Sequence, residues 1–494
     1  MSVCKYIYDC HTAIPTPPPP PPPPPRPPPP LLALLFCLSV YFKFYTSNDH
    51  FHLFPLYIIT YVYYLDMIPL CMPMYASAPP VMLKRKHTAE EEVGAIKRLK
   101  QTTLVEPSAP AISDNWTQGI SLLTYKDPKA KASSKFLALD LDGTVITPAS
   151  GRVFPVDGND WKLISPRIPD ILKRYADDGY AVVIMSNQGG LEKMQDKKIP
   201  EFKTKIEAVF RKIGVPMRAY FAISTDVNRK PRIGMWQALE ADNDGIEIDR
   251  KASIYCGDAA GRVAKGKTKQ DHSHCDRLFA ENLGVPFKTP EELWEEREGV
   301  DSTYPLLFDP KQFQDIAFST SSPVPPSLKD FPSKGAVLIL MVGYPASGKS
   351  TFCNNHLSQL GYAIISRDVL KDMKKCVAKC EQMLKAGSSV VVDNTNVTAA
   401  SREPFLKTTK SLGVPAYACV MQTSLDHCRH NEMFRQLTVK NHSKISSIVF
   451  NQMKKNYQPP TKNEGFEEIF DVPFVPDLPS DAQRSLYFQY LLEK

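Results

Sequence analysis

The chain has 494 residues, with 60 Lys and Arg against 53 Asp and Glu for a net charge of +7. That length excludes a single small module and accommodates two or three cores, while the mild charge admits a polyanionic partner without requiring one. Eleven cysteines with no C-x-x-C pair exclude a disulfide framework and a zinc ribbon, and point to a reducing compartment.

Residues 1–83 differ from the rest. Pro17–Pro25 and Pro27–Pro30, broken only by Arg26, can form only an extended, solvated polyproline segment. The apolar runs Leu31–Phe42 and Phe54–Leu65 fall short of the roughly 20 residues a spanning helix needs. Prolines ahead of the apolar runs do not make a signal peptide, and a single Arg before Arg85 does not make a mitochondrial presequence. The expectation is a dispensable low-complexity extension, with Met67, Met72, Met74 and Met82 available as later starts. Membrane association and targeting are the weaker alternatives.

Residues 84–115 read as a basic linker. Lys84-Arg85-Lys86 and Lys97-Arg98-Leu99-Lys100, parted by an acidic spacer, suit a bipartite nuclear import signal, so a nuclear location is expected. A solvated charged tail is the alternative.

Across residues 116–315 strand and helix signals alternate. Strands are predicted at Phe136–Leu139, Tyr180–Met185, Arg218–Ile223 and Ser253–Cys256, with helices at Ile168–Asp178, Phe202–Ile213 and Gly234–Asp242. Such alternation predicts an α/β domain with a doubly wound parallel sheet, whose site lies at the carboxyl ends of the strands. Asp140 ends the first strand and Asp142-Gly143 follows; Ser186-Asn187 ends the second; Lys230 follows the third; Asp258 follows the fourth. This order resembles the haloacid dehalogenase superfamily of phosphotransferases.

The chemistry agrees with that order. A carboxylate nucleophile needs the charge of a phosphate neutralised, which magnesium held by Asp140, Asp258 and the backbone carbonyl of Asp142 would do. Asp140 would attack phosphorus to give an aspartyl phosphate, and Asp142 would protonate the leaving oxygen and then activate water. Ser186 and Asn187 would hydrogen-bond the phosphoryl oxygens, with Lys230 offsetting charge. Asp276 either supports the metal site or caps a helix over Arg277–Asn282. His272, His274 and Cys275 lack a fourth partner for zinc.

Residues 316–334, rich in Ser and Pro, read as a linker. Residues 335–494 then open on the apolar strand Ala336–Val342, which runs into Gly343-Tyr-Pro-Ala-Ser-Gly348-Lys349-Ser350. Gly343, Ser347, Gly348, Lys349, Ser350 and Thr351 form a phosphate-binding loop and helix start that predict ATP and magnesium, with Ser350 on the metal. A following strand ends in Ser366-Arg367-Asp368, placing Asp368 as base for an acceptor hydroxyl. Arg367, Asp393, Asn394 and Thr395 are expected at the acceptor. Arg429 and Arg435, on a helix predicted at Leu425–Leu437, are expected in a lid over the nucleotide. Cys376 and Cys380, one helical turn apart, are expected to pack within a helix.

Together the two units resemble the eukaryotic polynucleotide kinase 3′-phosphatase family from about Trp116 to Tyr487. The match extends through Asp160-Trp161, Arg229-Lys230-Pro231, Gly234-Met235-Trp236, Gly257-Asp258-Ala259-Ala260-Gly261-Arg262, Asp393-Asn394-Thr395-Asn396 and His430-Asn431. The resemblance implies a DNA strand-break end-processing enzyme that removes 3′-phosphates and phosphorylates 5′-hydroxyls with ATP, in the form of a monomer without membrane association. Arg262–Lys269 is one candidate for tracking the nucleic acid backbone. Three departures from the family pattern stand out: no segment before Trp116 reads as the forkhead-associated domain of vertebrate members, Ser186 stands where Thr is commoner, and Gln188-Gly189-Gly190 is unusual. The motifs alone also allow an RNA end-healing enzyme, a small-molecule phosphatase–kinase fusion, or a silent scaffold.

Overall fold

The computed structural model describes residues 112–193, 195–264, 270–297, 308–317 and 324–493. The polyproline and apolar extension, the later starts and the basic clusters of residues 84–100 lie outside the described residues, as do Lys265–Lys269. Among the described residues, no helix is long and apolar enough to cross a membrane.

Two sheets organise the chain. The first comprises β1 (Trp116–Gln118), β2 (Leu122–Lys126), β3 (Phe136–Leu139), β6 (Ala181–Asn187), β7 (Met217–Ala222), β8 (Ile254–Cys256) and β9 (Phe287–Lys288), in the order β1-β2-β7-β6-β3-β8-β9. Strands β7, β6, β3, β8 and β9 are parallel, as predicted. The β1–β2 hairpin, which the sequence reading did not foresee, extends that sheet antiparallel along the edge of β7. A small ribbon of β4 (Ile146–Thr147) and β5 (Lys162–Leu163) follows the Asp140 strand.

Continuous apolar runs form these strands because both faces are covered. Successive side chains of β3 alternate: Leu137 and Leu139 join one core with Ile184 and Phe221, while Phe136 and Ala138 join the other with Met185 and Trp236. The helix Gln195–Ile213 runs seven residues further toward the N-terminus than predicted; Pro200 sits inside it and lies within its first turns.

The second sheet is wholly parallel: β11 (Ala363–Ile365), β12 (Val390–Val392), β10 (Leu338–Val342), β13 (Ala416–Met421) and β14 (Glu468–Val472), in that spatial order. Its strands split between two cores in the same way, Ile339 and Met341 on one face, Leu338 and Leu340 on the other. Cys376 and Cys380 are both buried in the second of these cores, on the helix Met373–Lys385.

Two parts of the predicted organisation differ. Within the expected linker of residues 316–334, Pro326–Lys334 is a helix. Pro in its first turn is pre-set for helix geometry, and Leu328 of the helix buries with Val324, just before it, against the second sheet. At the other end, Phe488–Glu493 leaves the second unit and docks on the first: Tyr490 and Asn282 exchange two hydrogen bonds, and Arg232 donates to the Leu491 carbonyl.

Candidate active sites

The first site forms where the order of strands reverses around β3, at the carboxyl ends of β3, β6 and β8. Asp140, Asp142, Ser186, Asn187, Lys230 and Asp258 all line one cavity of about 220 Å³, together with Asp276, Arg229 and Glu493. Lys230 is buried and donates from Nζ to Asp140 at 2.6 Å, Asp276 at 2.7 Å and the Tyr255 hydroxyl at 2.8 Å. Two glycines make room for this crowding. Gly143 lies at φ +81°, and a Cβ there would come within 2.5 Å of the Asp258 carboxylate. A Cβ on Gly257 would overlap the Asp276 carboxyl group.

Burial dominates the electrostatics. It pushes the Asp140 carboxyl up to about 6, against the lowering pull of Lys230. Asp258 is pushed up to about 8, by burial first and by Asp140 and Asp276 next. Burial disfavours the Lys230 ammonium, yet Asp140 and Asp276 hold it above its ordinary range. Asp140, Asp258 and Asp276 each offer an oxygen within 4.8 Å of the others, the one group of acidic, thiol or imidazole side chains among the described residues suited to a metal ion. Three carboxylates face one ammonium, and the surplus of two negative charges fits a divalent cation.

Three residues need correction or refinement. Asn187, expected on phosphoryl oxygens, has both ends of its amide engaged with the Lys230 main chain, donating at 3.0 Å and accepting at 2.8 Å. Such a reciprocal pair matches amide geometry well, so Asn187 orients the Lys230 segment with one of its two N–H donors, while its side chain also lines the cavity. Asp276 does not cap its helix, which spans Cys275–Leu283; it accepts from Lys230, Tyr255 and the Ala259 amide inside the site. Arg262 is tied to Asp271 and Glu291, both at 2.9 Å, which removes it from the candidate backbone-tracking stretch.

The sequence reading missed Gln188, whose Nε2 donates to Asp142 at 2.7 Å and Ser186 at 3.2 Å. It also missed Tyr255, hidden in an apolar strand, and Glu493, more than two hundred residues from its partner. The one signal for Gln188 is its place directly after Ser186-Asn187. Asp142 itself is exposed at the rim of the cavity it shares with Asp140 and Asp258. Val153 and Phe154, 85% and 80% exposed, lie in the loop between β4 and β5.

The second site sits at the carboxyl end of β10. Gly348 at φ +93° and Ala346 at φ +57° curl the loop, and the Gly343 amide donates to the Thr395 carbonyl. Lys349 is folded into its own loop, donating to the carbonyls of Gly343 and Tyr344 and to the Ser347 hydroxyl. Burial holds its ammonium below the ordinary lysine range. A cavity of about 340 Å³ is lined by Ser347, Gly348, Lys349, Ser350, Thr351 and Arg435. Burial raises the Asp393 carboxyl, against the lowering influence of Ser350 and Lys349. Asp368 is exposed at the end of β11, and the Asn394 amide oxygen receives the Arg367 N–H at 2.8 Å.

The helix Leu425–Thr438 does cover this cavity: Asn431 donates to the Ala346 carbonyl of the loop, and Tyr487 donates to Asn431. Of the two lid arginines, only Arg435 reaches it. Arg429 is turned to Asp426 and Asn451, each at 2.7 Å, and lines a different cavity beside Arg232 and Tyr490. Residues 429 and 435 are six apart, which on an α-helix turns them about 120° from one another, onto different faces.

A model of the polynucleotide kinase 3 phosphatase family matches residues 135–294, and a model described as an AAA domain matches residues 338–460. The bifunctional polynucleotide phosphatase/kinase of Schizosaccharomyces pombe is 36% identical over 363 residues, covering 74% of this chain and 85% of that protein. This chain belongs to the bifunctional polynucleotide phosphatase/kinase family. Within the family's first half, the polynucleotide 3′-phosphatase ZDP of Arabidopsis thaliana is 34% identical over 183 residues, covering 34% of this chain and 25% of that protein. The polynucleotide 3′-phosphatase of Saccharomyces cerevisiae is 28% identical over 210 residues, covering 32% of this chain and 86% of that protein. Family membership makes the chain an enzyme with a phosphatase unit and a kinase unit, in the order the motifs predicted.

Proposed function

We propose that this chain repairs the chemistry of broken DNA ends, removing a 3′-phosphate at the first site and phosphorylating a 5′-hydroxyl at the second. The observation that carries this reading is the placement of two complete phosphate-handling sites at the carboxyl ends of two parallel sheets in one chain. The products, a 3′-hydroxyl and a 5′-phosphate, are the pair a ligase joins.

At the first site Asp140 attacks phosphorus and forms an aspartyl phosphate. Asp142, exposed toward solvent, protonates the departing 3′ oxygen and then takes a proton from the water that hydrolyses the ester. Lys230 holds Asp140 in line and Ser186 presents its hydroxyl to the phosphoryl oxygens. Magnesium bound by Asp140, Asp258 and the Asp142 carbonyl would supply charge neutralisation on the phosphoryl group. Asp276 keeps Lys230 charged and in place. Exposed Phe154 offers a face on which a terminal base can stack.

At the second site the amides of the Gly343–Ser350 loop bind ATP phosphates, with Lys349 leaving its loop carbonyls for the β- and γ-phosphates. Ser350 and Asp393 would hold the magnesium of the nucleotide. Asp368 takes the proton of the 5′-hydroxyl, and Arg435 stabilises the phosphoryl group in flight. Arg367, Asn394 and Thr395 flank that acceptor position. A nuclear location follows from the basic clusters of residues 84–100; a reporter carrying residues 84–104 that stayed in the cytoplasm would remove it.

The decisive assay gives the full chain nicked DNA bearing a 3′-phosphate and a 5′-hydroxyl, with magnesium and ATP, beside RNA of the same sequence. Conversion of both DNA ends, with RNA slower, is expected. Equal or faster RNA turnover would reassign the chain to RNA end healing, and turnover of neither would leave phosphorylated metabolites as the substrates to screen.

A further inference from the structure

Glu493 lies in neither catalytic motif, yet its side chain reaches the wall of the phosphatase cavity. Arg229 donates to it through Nε at 2.6 Å and Nη2 at 3.0 Å, a two-point pairing of guanidinium and carboxylate. The main chain of Glu493 is fixed too, accepting from the His274 amide at 2.9 Å and the Ser273 hydroxyl at 2.7 Å. With two of its nitrogens held, Arg229 presents Nη1 to Gly189, where a Cβ would meet it at 3.0 Å. Gly189–Leu191 is the turn directly after Gln188, and Gln188 donates to the Asp142 carboxylate.

The segment that carries Glu493 begins in the kinase unit. Tyr487, at its root, donates to Asn431, receives a hydrogen bond at its carbonyl from the His430 ring, and lines the nucleotide cavity. Residues 488–493 thus form one tether between the two catalytic cavities.

We propose that Glu493 is a positioning residue for phosphate removal: by holding Arg229 against the Gly189 turn it sets Gln188, and through Gln188 the carboxylate of Asp142. The phosphatase site is then incomplete without the segment that follows the kinase fold. The inference rests on the assignment of Asp142 under Proposed function.

The test uses the full chain with Glu493→Gln, Glu493→Ala and Glu493→Asp, each assayed for both activities. Phosphatase kcat should fall about tenfold in Glu493→Gln and further in Glu493→Ala, as expected when a proton donor is held less firmly. KM should hold or drop, because unpaired Arg229 attracts an anionic substrate. Kinase rates should stay within twofold of wild type, and Glu493→Asp should recover part of the phosphatase kcat. Amide hydrogen exchange in residues 189–191 should rise in Glu493→Gln. Phosphatase constants within twofold of wild type together with unchanged exchange overturn the proposal, and so does kinase loss in step with phosphatase loss. If the wild-type chain removed no 3′-phosphate, the reading of the site would fall, and the exchange measurement would still decide whether Glu493 holds the turn.

Discussion

The two catalytic units solve the handling of phosphate charge in opposite ways. The phosphatase unit is built around charge it already owns: Asp140, Asp276 and Lys230 are buried and locked together by bonds of 2.6 and 2.7 Å. The kinase unit waits for charge to arrive. Lys349 is turned onto neutral carbonyls of its own loop, and Asp368 stands in solvent. A site that makes a covalent intermediate needs its nucleophile fixed beforehand, whereas a nucleotide brings its own anionic groups and metal to organise the loop.

The largest effects should come from severing one unit and reading both. Asp140→Asn should lower 3′-phosphatase kcat by roughly 10³-fold or more while leaving the kinase within twofold, and Lys349→Ala should do the reverse. Steady-state assays of both ends on one nicked substrate check this. Loss of both activities from either change in a folded protein would contradict separate sites.

A finer contrast lies in stability. Lys230→Met strands two buried carboxylates and should cost about 3–5 kcal/mol, whereas Lys349→Met removes a desolvated ammonium held only by neutral oxygens and should be neutral or stabilising. Denaturant unfolding of the two variants should therefore move in different directions. Equal shifts would erase the distinction between owned and awaited charge.

Acidity should separate the units again. Asp140 and Asp258 have folded values near 6 and 8, above an ordinary unfolded carboxylate, so without metal their contribution weakens as pH rises from about 4 toward 8. Magnesium should restore it, raising the melting temperature more at pH 8 than at pH 6, with chelator abolishing the difference. In the kinase unit burial pushes His427 down to about 4 and His430 to about 3. Both are neutral in the fold, so their contribution is complete above an unfolded value of about 6.5 and is lost as pH falls, by up to about 1.4 kcal/mol per unit for each. Melting followed across pH, with and without magnesium, checks both signs.

The smallest predicted effect is the sharpest for the lid. Arg435→Ala should reduce kinase kcat by about tenfold or more, while Arg429→Ala should leave the KM for ATP within twofold, because Arg429 is paired away from the nucleotide cavity.

Much of this is legible in the amino-acid sequence. Asp140, Ser186 and Gly343 each follow an apolar run, and an apolar run between helical patterns is a buried parallel strand whose end faces the site. What escaped has a common cause. Asn187 carries the right chemistry at the right place, but which way its amide turns depends on the Lys230 backbone forty-three residues on. Arg429 looked as suitable as Arg435, although Asp426, three residues earlier on the same helix, is a partner legible in the sequence; only the contact with Asn451, twenty-two residues on, needed the fold. The Pro326–Lys334 helix was obscured by a Ser and Pro composition that reads as linker, although it buries Leu328 alongside Val324 just before it. Glu493 had no local signal at all, since its meaning lies in a contact across the fold.

The seven described cysteines, Cys256, Cys275, Cys353, Cys376, Cys380, Cys419 and Cys428, are all free and all buried. Burial pushes their thiols upward, which withholds the reactive thiolate as well as access to it. These residues should therefore be slow to be alkylated or oxidised while the fold is closed. They are divided between the units, Cys256 and Cys275 in the phosphatase and the other five in the kinase. The chain thus carries its own opening reporters: the order in which these thiols become reactive during unfolding would tell which unit yields first.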